Sequence, residues 1–229
     1  MSVEYKHFNH VVIPLPAKLT PKTVDGKRFY QTPEGNLYPS VTSTLSKLDE
    51  DGIKKWRESV GEDVANSVSA RATGIGTSMH KIIEDYLANK DISQYKKLLP
   101  VAHFHNLLPY INKIDNILAQ EATLWSDRLK LAGATDCIAD FEWPDGVITK
   151  SVIDFKTSTK KKDPSWILKY FYQETCYSLM FEERTGIKAE QIVTMISGED
   201  GSADVFVYNR DEYIADLEKF LEEQRSVTI

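Results

Sequence analysis

Val152-Ile153-Asp154-Phe155-Lys156-Thr157, preceded by Gly133-Ala134-Thr135-Asp136 and by the turn sequence Pro144-Asp145-Gly146, decides how this chain is read. β-Branched and aromatic residues fill the first segment, which predicts a strand over 147–157, and Pro-Asp-Gly predicts a tight return from a partner strand over 130–141. In an antiparallel hairpin, a three-residue turn at 144 to 146 sets Asp136 opposite Asp154. Side chains two apart share a face, so Lys156 joins them. A bulge would shift this register by one residue.

Two facing carboxylates repel unless something positive lies between them, and a divalent cation is the natural candidate. An oxygen donor set of this size suits Mg²⁺ or Mn²⁺, and the Phe155 carbonyl would add a further oxygen. Such an ion would polarise a phosphate and activate a water, and Lys156 would orient that water or stabilise the developing charge. Asp-x-Lys on its own is common, and alternating charges usually mark a strand with one wet face. Here the charged pair lies inside an apolar, strongly β-forming run, where a solvated edge would carry more polar residues.

Upstream, residues 1 to about 40 are rich in Pro, Thr, Gly and Tyr and predict strand fragments and loops. Ser40 or Thr42 would cap a helix near Val41, Gly52 would interrupt before a second helical stretch, and a third is expected over 62–72, ending at Gly74-Ile75-Gly76. Thr77 would then cap a new helix with Met79, Ile82, Ile83, Tyr86 and Leu87 on its apolar face. His80 and Glu84 share another face. Residues 94–119 read as helical around Pro100 and Pro109, and residues 122–126 as the first strand of the sheet. Downstream, a helix is expected over 164–185, strands over 192–197 and 203–208, and a closing helix over 211–224. The expected organisation is one domain over 1–229, with an irregular and mostly helical part over 1–120 and the sheet with its flanking helices over 121–229.

The chain has 229 residues, 41% of them apolar and 27% charged, and no run approaches the roughly 18 apolar residues of a membrane span. No membrane partner is expected. The start of the sequence carries neither a signal core nor an Arg-rich transit pattern, and two isolated cysteines, Cys137 and Cys176, build no disulfide framework. A reducing, cytoplasmic setting follows as the expectation. The net charge of −6 argues against a broad nucleic-acid surface, but a local basic groove suffices for an enzyme. Lys54, Lys55 and Arg57, and Lys160, Lys161 and Lys162, are the candidates, although lysine runs are usually solvated surface.

Gly133-Ala134-Thr135-Asp136, then Ile153-Asp154-Phe155-Lys156-Thr157-Ser158, then Gln173-x-x-x-Tyr177 resembles the RecB-like branch of the PD-(D/E)xK nuclease superfamily. Gly76-Thr77-Ser78-Met79-His80 with Glu84 resembles the motif that supplies this branch's metal-binding histidine. Tyr38-Pro39-Ser40-Val41-Thr42 and the segment from Trp56 to Gly61 resemble the leading part of the mitochondrial genome maintenance exonuclease group and related phage exonucleases. The resemblance implies an α/β fold with a restriction-endonuclease-like core, a mixed central sheet flanked by helices and a helical N-terminal half. It also implies metal-dependent exonuclease action on DNA, single-stranded or with free ends, in replication, recombination or repair. Proteins of those pathways would be partners, and the setting would be the host cytoplasm if the chain is phage-encoded.

By the same resemblance Asp136, Asp154 and His80 would hold the metal with the Phe155 carbonyl. Lys156 would be catalytic, and Gln173 and Tyr177 would share the α-helical face turned to the site or the DNA. Without the resemblance, that pair reads as ordinary helix surface and His80 as a packed histidine. Tyr38, Ser40, Thr42, Trp56, Thr157, Ser158 and Lys160 are the expected nucleic-acid contacts, with Trp166 a further base-stacking candidate. The family's four-cysteine iron–sulfur cluster cannot be built from two cysteines, and no GxxxxGK[ST] phosphate loop is present, so neither a cluster nor ATP is expected. A structure-selective endonuclease and a DNA-binding module without catalysis are the competing readings.

Overall fold

Alternation of apolar side chains in the second half of the chain builds one sheet, and each of its faces is closed by a different set of helices. The computed structural model describes residues 5–143 and 145–226. A small antiparallel sheet comes first, from β1 (Pro21–Val24), β2 (Lys27–Gln31) and β3 (Leu37–Pro39). Helices α1 (Val41–Leu45), α2 (Glu50–Val60), α3 (Glu62–Leu87) and α4 (Leu98–Ile111) follow, with a 3₁₀ turn between the first two. The main sheet holds β4 (Ile114–Ser126), β5 (Leu131–Glu142), β6 (Ile148–Ser158), β7 (Gln191–Gly198) and β8 (Ala203–Asn209), in that spatial order. Helix α5 (Leu168–Thr185) connects β6 to β7, and this connection makes that pair parallel while the other pairs are antiparallel. Helix α6 (Ile214–Ser226) closes the described chain.

The pleat divides the core. Ile153 and Phe155 face the layer of α3 and α4, packing with Met79, Ile83, Leu107 and Ile111. Val152 and Ile138 face the layer of α5 and α6, packing with Cys176, Met180 and Leu217. Period two therefore places Asp154 and Lys156 on the α5 side. No helix among the described residues is long and apolar enough to cross a membrane.

The hairpin register agrees with that read from the turn: Glu142 pairs with Ile148, and the ladder runs to Cys137 opposite Ile153. Gly146 adopts φ 80 and donates its N–H to the Trp143 carbonyl, while Pro144 lies outside the described residues. Beyond Cys137 the two strands separate. β5 stays with β4 through Thr135 and Ala134, whereas β6 stays with β7 from Asp154 to Ser158. The split falls at Asp136 and Asp154, and there the Phe155 N–H donates to the Asp136 side chain at 3.2 Å.

Two expected boundaries are corrected. Helix α3 runs unbroken through Gly74, Gly76 and Thr77, where a turn and a new cap were expected. Burial of Met79, Ile82 and Ile83 against the sheet outweighs the helix penalty of two glycines, about 1 kcal/mol each. The helix expected to reach 119 ends at Ile111, and β4 begins at Ile114 instead of 122. A register shift between Asp115 and Ala119, with Asn116 at φ 44, breaks the period-two pattern that would have shown a strand. Gly52 lies inside α2, and Ser40 caps α1 by accepting from the Ser43 N–H.

Candidate active site

The parting of β5 and β6 leaves a gap in the sheet that both helical layers reach. His80 of α3 enters from one side, its Nδ1 3.3 Å from the Asp136 carboxylate. From the other side α5 supplies Gln173, whose Nε2 donates to Asp154 Oδ1 at 2.6 Å. The second Asp154 oxygen is ion-paired with the Lys156 ammonium. Lys156 also lies 5.1 Å from the centre of the Tyr170 ring, one turn before Gln173. The structure thus brings Asp136, Asp154, Lys156, His80 and Gln173 together around the Phe155 backbone.

Each charge in this cluster depends on its neighbours. Burial pushes the Asp154 carboxyl up, and Asp136 adds to the push, so the Lys156 ammonium only partly offsets the two. Burial acts against the charged forms of Asp136 and His80 as well, but their mutual attraction outweighs it: Asp136 is held below the usual carboxylate range and His80 is raised. Burial also opposes the Lys156 charge, yet Asp154 and Asp136 raise its pKa. The net effect is two close carboxylates neutralised by one lysine and one histidine.

Tyr177 is buried at the back of the same cluster. A β-carbon on Gly133 would lie 2.8 Å from the Tyr177 hydroxyl oxygen and 2.9 Å from its ring, so glycine at 133 is what lets β5 pass this side chain. Burial and then the Asp154 and Asp136 charges raise the Tyr177 phenol well above its ordinary value. Such a group stays protonated at neutral pH.

Two acidic residues extend the cluster. Glu174, which the sequence reading missed, is fully buried and accepts from the Thr194 hydroxyl, while its Oε2 has no hydrogen-bond partner. Thr194 is the β7 neighbour of Asp154, so Gln173 and Glu174 grip adjacent strands. Burial, followed by the Asp154 charge, raises the Glu174 carboxyl well above its ordinary value. An isolated acid between Phe171-Tyr172 and Thr175-Cys176 was the available signal. Glu121, ambiguous in sequence, stands on β4 between the pairs Gln120–Cys137 and Ala122–Thr135, which puts it opposite Asp136. Its φ of 48 is left-handed, and burial, then Asp136 and Glu84, push its carboxyl up to about 7. Among the described residues no three His, Cys, Asp or Glu side chains already converge as a metal cage.

The remaining expected contacts divide. Tyr38 is buried against Leu19, Tyr30, Trp125 and Ala132 and donates its hydroxyl to Asp127 at 2.8 Å, which removes its ring face from base stacking. Ser40 is buried and spends its hydroxyl on the start of α1. Ser158 spends its own on the Lys160 carbonyl. Thr42, Trp56 and Lys160 are exposed, and none of them lines the groove beside Asp136. Thr157 lies under Gly76 of α3, in the half-buried floor next to Lys156. Trp166 is 70% exposed and lines a second hollow with Lys161, Lys162 and Phe206.

No family model matches the chain. Mitochondrial genome maintenance exonuclease 1 of Homo sapiens is 24% identical over a match that covers 56% of this chain and 38% of that protein. The chain therefore spans well under half the length of this curated relative. A crystal structure of Scheffersomyces stipitis Rai1 in complex with (3'-NADP)+ and calcium ion aligns over 90% of this chain and 49% of that one, at 13% identity. Its TM-score of 0.26 is too low to support an argument about fold or chemistry. The chain is distantly similar to an exonuclease, and its mixed five-stranded sheet between helices is compatible with a nuclease-like fold.

Proposed function

We propose that this chain is a divalent-metal-dependent deoxyribonuclease of the PD-(D/E)xK type, acting as an exonuclease on single-stranded DNA with free ends. The observation that carries the reading is the split of β5 from β6 at Asp136 and Asp154, with Lys156, His80 and Gln173 gathered at that point. The distant similarity to an exonuclease supports the same reaction class.

The donor set fits a hard divalent cation. The Asp154 carboxyl is raised in part by the Asp136 charge, as expected where a positive charge belongs between two acids, and the Lys156 ammonium occupies one side of it. Asp136, Asp154, the Phe155 carbonyl and His80 would hold the ion. A cation bound there supplies Lewis acidity to a phosphoryl oxygen and lowers the pKa of a bound water.

The chain's own groups do the rest. Gln173 fixes the Asp154 carboxylate through its amide. Lys156, kept charged by the two aspartates, stabilises the negative charge that grows on the phosphate as the P–O bond breaks. Tyr177 remains a protonated phenol beneath Asp154 and presents a neutral surface to it. With no GxxxxGK[ST] phosphate loop in the sequence, the substrate is taken as already single-stranded or as an end opened by another protein.

The test is cleavage of end-labelled linear and covalently closed circular single-stranded DNA with Mg²⁺, Mn²⁺ or EDTA, beside Asp154→Ala. Loss of the linear substrate alone, dependent on metal and absent in the variant, is expected. Cutting of circles would replace the exonuclease by an endonuclease, and inertness with retained binding would reduce the chain to a DNA-binding module.

A further inference from the structure

A groove of about 600 Å³ opens on the His80 side of the cluster, and Arg28, Thr73, Lys81, Glu84, Glu121 and Asp136 are among its lining. Its lining sets three carboxylates, Glu84, Glu121 and Asp136, against three cationic side chains, Arg28, His80 and Lys81. Of its cations, Lys81 is held by Glu84 at 2.9 Å and Asp85 at 3.0 Å, and His80 is held by Asp136. Arg28 is exposed and, among the described residues, its guanidinium has no ion pair or hydrogen-bond partner. It is the one cation of this lining whose charge is left for a ligand.

The small N-terminal sheet holds Arg28 in place. On β2, Arg28 shares a face with Tyr30, two residues on, and Tyr30 is buried against Trp125 and Ala132 of the main sheet. That burial turns the Arg28 face toward β5. The Arg28 carbonyl accepts from the Ser40 N–H at 2.8 Å, and Ser40 forms a bridge to Ala132, four residues before Asp136 and on the same face of β5. A short chain of backbone contacts thus sets the arginine relative to the catalytic strand.

Resting on the nuclease reading of the site, we infer that Arg28 binds a backbone phosphate of the nucleic-acid strand in this groove, next to the phosphate held at Asp136 and Asp154. A planar guanidinium with free donors matches a phosphodiester through two parallel hydrogen bonds. It also gives a polyanion a positive point in a groove shared with Glu84, whose charge would otherwise turn it away. Arg28 is a substrate-positioning residue: it touches the strand and leaves bond cleavage to Lys156 and the carboxylates.

The test uses a fluorescein-labelled oligothymidylate of about 20 nucleotides, bound in EDTA over a series of salt concentrations and cleaved with Mg²⁺, with the full chain and with Arg28→Ala and Arg28→Lys. The alanine variant is expected to bind about tenfold more weakly and to lower the salt slope by about 0.7, the signature of one lost single-strand phosphate contact. Its KM should rise about tenfold with kcat within about twofold of wild type. Arg28→Lys should keep the slope and recover part of the affinity. Unchanged affinity and slope in Arg28→Ala, or a fall in kcat at constant KM, with a wild-type protein that binds and cuts, would overturn the assignment and leave the nuclease reading intact. A wild-type protein that neither binds nor cuts would remove both.

Discussion

Glu121 shows how much the site depends on single charges. It faces Asp136 across β4 and β5, and burial with its acidic neighbours raises its carboxyl to about 7. An unfolded glutamate releases its proton near 4.3. The folded state therefore holds this proton longer than the unfolded one, and its contribution to stability is full below about pH 4.3 and lost as pH rises through 7. With EDTA present, urea unfolding of the wild-type chain should lose on the order of 1 kcal/mol across that window relative to Glu121→Gln, after solvent screening of a partly exposed group. Parallel profiles for the two proteins would show that Glu121 titrates normally. At this scale Asp136, Asp154 and Lys156 were legible, because turn length and strand period are local rules. Glu174 and Arg28 were not: Glu174 owes its place to Thr194, twenty residues on, and Arg28 to a bridge between Ser40 and Ala132.

Among the elements, α3 departs furthest from its sequence. Gly74-Ile75-Gly76 carries the local signal of a turn, yet the helix continues because its C-terminal half is fixed by the core. The two glycines are not equivalent. A β-carbon on Gly76 would meet the Thr157 hydroxyl at 3.7 Å, ordinary contact with the end of β6, whereas one on Gly74 would meet nothing within 4 Å. Gly74→Ala should therefore stabilise the chain by about 0.5–1 kcal/mol through helix propensity and a less flexible unfolded state, seen as a raised thermal midpoint. A lowered midpoint would mean that the helix needs its glycine. Strand β4 carries the complementary lesson: its bulge near Asn116 hid an alternation that the rest of the sheet displays openly. The hairpin and the strand–helix–strand order were readable from pattern, while helix continuity and bulges follow from packing that no short window contains.

Across the whole molecule, the net charge of −6 confines any polyanion to a few positive points. Lys156 sits at the split between β5 and β6, Arg28 on the groove wall, and Lys161 and Lys162 beside exposed Trp166 at the second hollow. The first hollow is lined by His80 and Asp136, and the second by the segment just before α5 with Asp204 and Phe206 of β8. α2 and the first half of α3 bury little beyond Ala65, and they are tied to the main body by Arg71 with Glu199 and by Lys169 with Asp49. This arrangement places the helical part beside the end of the sheet where β6 carries Lys156 and Thr157. The proposed role of Lys156, with the two aspartates and a divalent cation, is the cleavage of phosphodiester bonds. Its most direct test is single-turnover cleavage of an end-labelled single strand with Mg²⁺ by wild-type protein and by Lys156→Ala, with unfolding curves confirming that both are folded. A loss of about 10²–10⁴-fold in rate, with binding retained, is the expected result; a folded variant that cuts as fast as wild type, or wild-type cleavage that persists in EDTA, would contradict it.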